Sequence, residues 1–295
     1  EGVPAPLIAY NNPLFEKEQP IDKSRIVSDD KLKRLEEAFG ATALLAQEAG
    51  FDGADIKCCH RYLLSEMLSA FTRPGDYGGA FENRTRLLRN AIFAAKGATS
   101  GEFLITSRVN LYDGFAYPYG FGVSPTGGLM PDLTEPKALV TLLHEELRLP
   151  MLDFTIGNPY VNPHVNRPYD GGPYVPDEHP LEGVARMLGC IGQLKKAFPS
   201  LCVIGSGFSY LRQFSPYLAA GAVEQSVCDL AGFGRMAFAY PDFPRDTLYG
   251  EGFNARKTCI ACGKCSALMR AGTVAGCVVR DGETYLPFYQ AHCCV

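Results

Sequence analysis

The sequence predicts an α/β protein built of repeated βα units, on three observations. Apolar runs bounded by glycine alternate with amphipathic segments as far as about residue 233. Five of those runs have strand length and spacing. Several of them alternate polar with apolar residues, so that one face of the sheet carries charge toward the strand ends.

The first clear element is a helix over residues 28–49, with Ser28 as N-cap and Asp29 and Asp30 in the first turn. Leu32, Leu35, Phe39 and Ala46 form one face, and Gly50 is the stop. Strands are expected at Ala54–Lys57, Phe103–Val109, Met151–Ile156, Leu201–Gly205 and Val227–Phe233. Helices are expected at 82–95, 134–147, 180–198 and 209–220. Asp55 and Lys57 share one strand face, as do Thr106 with Arg108 and Asp153 with Thr155. Open parallel sheets and barrels both bind ligands at these C-terminal strand ends, so a site lined by charge is expected while periodicity leaves doubly wound sheet and (β/α)8 barrel both open. Segments 1–27 and 110–133 read as loops; the second, with Tyr112, Tyr117, Tyr119 and Gly127-Gly128, is a candidate lid.

The 295 residues are 46% hydrophobic and 20% charged, enough to build a large core. A formal net charge of -4 offers no basic footprint for nucleic acid or anionic lipid, and no apolar stretch approaches the ~20 residues of a membrane span. Eleven cysteines, four of them bunched near one end, argue for metal ligation and reduced thiols and hence for a cytoplasmic protein.

The bunched cysteines are Cys259, Cys262, Cys265 and Cys277, a C-x2-C-x2-C-x11-C arrangement with Gly263, Gly272 and Gly276 interspersed. Two-residue spacing lets one loop present several thiolates to a single centre. Three close cysteines and a distal fourth suit a 4Fe-4S cubane, whereas zinc sites more often present two separated CxxC knuckles; unligated thiols are the third reading. Cys190, Cys202 and Cys228 fall in apolar elements and read as core packing, Cys58-Cys59 as a buried pair and Cys293-Cys294 as a frayed tail.

Three runs carry a resemblance. Ala49-Gly50-Phe51-Asp52-Gly53-Ala54-Asp55-Ile56, then His60-Arg61-Tyr62-Leu63-Leu64, then Tyr77-Gly78-Gly79-Ala80-Phe81-Glu82-Asn83-Arg84 resemble the fourth-strand signature of the NADH:flavin oxidoreductase/old yellow enzyme family. Gly232-Phe233-Gly234-Arg235 is similar to its eighth-strand signature. The cysteine spacing resembles the iron-sulfur branch that contains 2,4-dienoyl-CoA reductase and trimethylamine dehydrogenase. The resemblance implies a (β/α)8 TIM barrel binding FMN, of which strands four to eight are present and the first three are missing through N-terminal truncation. It divides the chain into a partial barrel, 1–250, and a cluster-binding segment, 251–295.

The resemblance also implies roles. Arg108 ends the fifth strand, where the family keeps a cation against the flavin; the plainer reading is a salt-bridged barrel arginine. Gly205, Ser206 and Gly207 with Gly234 and Arg235 resemble the FMN phosphate cradle. Tyr62 matches the proton donor to substrate carbon, and Lys57 and His60 the polar pair that holds a substrate carbonyl, although lysine departs from the family pattern. Taken alone, Tyr62 and His60 read as packing and structural hydrogen bonding. Asn83 and Arg84 are expected to tie the loop at Tyr77–Gly79 to the barrel, and Arg73 and Asp76 to be solvated.

The implied activity is that of an FMN- and iron-sulfur-dependent, NAD(P)H-linked oxidoreductase moving hydride between flavin and a small organic substrate. One alternative is oxidative demethylation of an amine, with tyrosines of the 110–120 loop caging the cation. Others are a Schiff-base aldolase using Lys57 and a non-catalytic electron-transfer or redox-sensing barrel. The implied partners are a small-molecule substrate and a separate electron-transfer subunit or dinucleotide-binding domain.

Overall fold

The computed structural model describes residues 6–16, 20–170, 174–250 and 252–294. Residues 1–5 and 17–19 of the expected N-terminal loop, residues 171–173, the junction residue 251 and residue 295 lie outside the described set.

Five parallel strands form one sheet in the order β1-β2-β3-β4-β5: Gly53–Asp55, Leu104–Asn110, Met151–Thr155, Cys202–Gly205 and Leu230–Ala231. Each strand pairs with the next in the chain, and the order never reverses. A doubly wound sheet reverses its order at a switch point, whereas steady addition in one direction is the winding of a (β/α)8 barrel. The chain therefore carries five consecutive barrel strands. The one-sided packing agrees, because Ile105, Ser107 and Val109 of β2, Leu152 and Phe154 of β3 and Val203 of β4 are buried beneath helices. The alternate residues Thr106, Arg108, Met151, Asp153, Cys202 and Ile204 are half-buried on the concave face.

The layer of helices begins with Asp29–Glu48, whose N-cap Ser28 accepts from the Lys31 N–H and whose Leu32 is fully buried. The expected 82–95 helix is two pieces, Phe81–Arg84 and Arg86–Ala98. The 134–147 segment runs as Thr134–Val140 and then widens into a π turn over Thr141–Glu146. Pro180–Ala197 forms as read. The 209–220 segment is a 3-10 stretch, Phe208–Phe214, followed by the helix Ser215–Glu224, because Arg212 leaves helical geometry at φ 52. Gly53 is required where β1 meets β2, since a Cβ there would stand 2.5 Å from the Leu104 carbonyl oxygen.

Several loop readings need correction. Arg73 is not solvated: its guanidinium is buried and donates to the carbonyls of Ala9 at 2.5 Å and Val27 at 2.7 Å and to Asp29 Oδ1 at 2.6 Å, pinning the N-terminal segment to the first helix. Ile8, Ala9 and Tyr10 are accordingly core residues. The Arg84 side chain donates to the carbonyls of Gly79 and Leu68 and pairs with Glu135, tying its loop to the barrel. The first half of the 110–133 segment is packed: Asp113 accepts from the Asn110 amide and the Phe121 N–H at 2.7 Å each, and Tyr112 and Phe121 are buried, whereas residues 125–130, with Gly127-Gly128, are exposed. Cys293 closes the helix Gly282–Cys293 and is not frayed. Cys58, Cys59, Cys190 and Cys228 are buried, while Cys202 is half-buried on the concave face.

Among the described residues no helix is long and apolar enough to cross a membrane.

Replacing Arg73 with alanine strands Asp29 and two carbonyls, and is expected to lower stability by about 2–4 kcal/mol in urea unfolding. A loss below ~1 kcal/mol would count against the clamp.

Candidate functional site

The parallel register brings the charged residues of neighbouring strands side by side at the open, C-terminal end of the sheet. Arg108 on β2 stands opposite Asp153 on β3, and its Nε lies 3.1 Å from Asp153 Oδ2. The Arg108 backbone N–H donates to Asp55 Oδ1 at 3.2 Å, and its Nη2 lies 3.3 Å from the Ser206 hydroxyl. Ser206, just beyond β4, donates in turn to Asp153 Oδ1 at 3.1 Å. A cation, two carboxylates and a hydroxyl from four successive strand ends thus share one network. Burial raises the Asp153 carboxyl to about 6, with the Arg108 charge opposing the rise.

This network borders a cavity of about 530 Å³. Six of the sequence-derived candidates, His60, Arg108, Ser206, Gly207, Gly234 and Arg235, line it together with Cys265. Gly207 has φ +102, a left-handed conformation natural to glycine, and a Cβ there would run into the Met187 sulfur. A Cβ on Gly234 would meet no atom within 4 Å, which leaves that backbone open to a close-approaching group. Two successive strand-end loops with accessible backbone and an arginine are suited to a phosphate.

Gly205 stands behind these loops, against Cys228 and Phe208 rather than on the cavity wall. His60 takes a left-handed backbone at φ 61, followed by Arg61 at φ 60, and this double turn aims the ring into the cavity. Burial first, then repulsion from Arg108, Lys57 and Arg167, lowers His60 to about 3, so the imidazole is neutral. Lys57 and Tyr62 form a separate contact, with the Lys57 Nζ 3.4 Å from the Tyr62 ring centroid. Neither lines the cavity, and Tyr62 is 53% exposed. The tyrosines at 112, 117 and 119 do not border the cavity either, so no aromatic cage forms there from that loop.

Sequence reading passed over several cavity residues. Asp153 and Thr155 were visible as a polar strand face but not assigned a role, whereas Arg167, Tyr210, Phe238 and Met269 arrive from loops and short helices without a periodic signal.

Beside this cavity, Cys259, Cys262, Cys265 and Cys277 border a second, smaller space that shares Arg235, Phe238 and Cys265 with it. The segment is held at both ends. The Cys259 N–H points at the Met236 sulfur at 3.5 Å, and Arg280 Nε donates to the Thr258 carbonyl at 3.1 Å. Two thiols already accept backbone N–H groups, Cys259 from Ala261 at 3.4 Å and Cys277 from Arg280 at 3.3 Å. Arg235, Lys264 and Arg280 also border the space, and among the described residues no acidic side chain does. Four thiols, N–H donors aimed at two of the sulfurs, and three cations gather around this space. Among the described residues no group of three or more His, Cys, Asp or Glu is arranged to hold a metal ion.

Comparison with known proteins follows the same lines. Residues 4–121 match the model of the NADH:flavin oxidoreductase / NADH oxidase family. An NADPH dehydrogenase of Clostridium acetobutylicum is 32% identical over 127 residues, covering 42% of this chain and 36% of that protein. The chain thus spans about a third of the length of this curated relative, and less of the next. In fold, the chain is similar to a 6-hydroxypseudooxynicotine amine oxidase from Pseudomonas geniculata N1, with TM-score 0.67 and 24% identity over 92% of this chain and 36% of that one. It is likewise similar to a histamine dehydrogenase from Rhizobium sp. 4-9, with TM-score 0.68 and 23% identity over 92% of this chain and 35% of that one.

Two titrations check the electrostatics. Carboxyl-carbon NMR should place the Asp153 midpoint near 6, and Arg108→Met should raise it further by removing the opposing charge; a fall on substitution would contradict the pairing. For His60 the folded value is about 3, below the ordinary 6.5. Its contribution to stability is therefore complete above pH 6.5 and is lost as pH falls toward 3. His60→Gln should flatten that part of the stability-pH curve, and an unchanged slope would rule the assignment out.

Proposed function

We propose that this chain, whose residues 4–121 match the NADH:flavin oxidoreductase / NADH oxidase family, is part of an NAD(P)H-linked flavoenzyme, dependent on FMN and a 4Fe-4S cluster, that exchanges hydride with a small organic substrate. The observation that carries the reading is the convergence of His60, Arg108, Ser206, Gly207, Gly234 and Arg235 on one cavity that also contains Cys265. We assign residues 1–250 to the barrel portion and 251–295 to the cluster-binding segment, and we place the protein in the cytoplasm. Its partners in this reading are the substrate and a further electron carrier, on a separate subunit or dinucleotide-binding domain.

When bound, FMN supplies hydride transfer and the cluster supplies single-electron exchange. The residues of this chain bind and orient. Ser206, Gly207, Gly234 and Arg235, backed by Gly205, would hold the FMN phosphate through backbone N–H groups and one guanidinium. Arg108 would offset negative charge on the reduced ring, with its own position set by Asp153 and Ser206. Neutral His60 can donate or accept a hydrogen bond at a substrate carbonyl, and Lys57 adds a positive charge near it. Tyr62, exposed and with Lys57 over its ring, would give a proton to substrate carbon. Cys259, Cys262, Cys265 and Cys277 would ligate the cluster.

A second reading, oxidation of an amine, draws on the fold likeness to an amine oxidase and to histamine dehydrogenase. The absence of the loop tyrosines from the cavity weighs against a cation cage built from them. The Schiff-base reading is weaker still, because Lys57 is paired with a tyrosine ring outside the cavity.

Anaerobic reconstitution with iron, sulfide and FMN, followed by flavin extraction and EPR of the reduced protein, should recover FMN and a cluster signal that Cys262→Ser abolishes. Protein that takes up zinc and no iron would end the cluster reading. Consumption of NAD(P)H with enoates but not with methylamines is expected, and the reverse preference would move the assignment to amine oxidation.

A further inference from the structure

Next to the cysteine loop, on the other side of Arg167 and Arg235 from the large cavity, lies a third cavity of about 200 Å³. Four cations border it: Arg167, Arg235, Lys264 and Arg270. In a chain whose formal net charge is -4, that is a pronounced local concentration of positive charge. Among the described residues none of the four forms a salt bridge with a carboxylate. Arg167, Arg235 and Lys264 are half-buried, so water screens them only in part.

The cations are also organised. Buried Ser266 accepts from Arg167 Nη1 at 2.8 Å through its hydroxyl and from Arg270 Nε at 3.2 Å through its carbonyl, which fixes both guanidinium groups at one residue. Lys264 lies 5.2 Å from the centroid of the Tyr289 ring on the same wall. Burial and repulsion by Arg235 and Arg270 push Arg167 below its ordinary value, a sign that these like charges feel one another. No carboxylate among the described residues offsets this repulsion, and a small polyanion would relieve it.

We propose that this cavity is a binding site for a phosphate or diphosphate group, separate from the phosphate of FMN. The site shares Arg235 with the flavin reading, but Arg167, Lys264 and Arg270 are outside the residues assigned there. Its geometry suits the diphosphate of a dinucleotide or the phosphate ester of a substrate, because guanidinium groups pair with phosphate oxygens two at a time. The thiols border the neighbouring space, with only Cys262 reaching this one.

Calorimetric titration of the whole chain with pyrophosphate at low ionic strength should show saturable binding that added salt weakens. Arg270→Gln, at an exposed position where folding is not at risk, should weaken it about tenfold, the loss of roughly one charge-assisted bond. Lys264→Gln should act in the same direction, and FMN affinity should be unchanged in both variants. Absent binding, or binding indifferent to both substitutions, would overturn the proposal. Pyrophosphate that competes with FMN but not with riboflavin would assign the anion to the flavin phosphate and would equally overturn a separate site.

Discussion

The pairing of Arg108 with Asp153 across β2 and β3 is the interaction on which the arrangement of the site depends. Two charges on adjacent strands share a face only when the parallel register sets them opposite one another, and a slip by one residue would turn both into the helix layer. The register holds because Val109, Leu152 and Phe154 have nowhere to go except beneath the helices. Core packing on one face therefore determines electrostatics on the other. Ser206 completes the link by bonding both partners, so that the loop after β4 is held by the charges it adjoins.

Burial of charge recurs as the means by which loops are tied to the barrel. Arg73 and Arg84 are both buried, and both spend their guanidinium donors on backbone carbonyls as well as on a carboxylate. An arginine can serve several acceptors from one plane, which suits the joining of segments that have no ladder of their own. Asp113 does the same with opposite polarity, accepting within the 110–133 segment, and burial raises its carboxyl to about 7. These bonds hold residues 110–121, while 125–130 stay exposed.

The unpaired cations near the cysteines follow the opposite pattern. Arg167, Arg235, Lys264 and Arg270 gather where two cavities and the cysteine loop meet, and among the described residues no acid borders the smaller of the two. Positive charge left without an internal partner is a property of places that receive anions from outside.

By itself the sequence determined the alternation of strands and helices, the polar face of the strands and the cysteine spacing, because each is a periodicity carried by neighbouring residues. It also placed the glycines of the strand-end loops, since those motifs are local. It did not reveal that Arg73 is buried, that Tyr62 rests against Lys57 outside the cavity, or that Arg167 and Arg270 share Ser266. Those facts depend on residues far apart in the chain meeting through packing and on which side of a turn a side chain leaves the backbone. Only the tertiary structure decides such meetings, as it decided here that the sheet winds in one direction and so brings its charged strand ends around a common space.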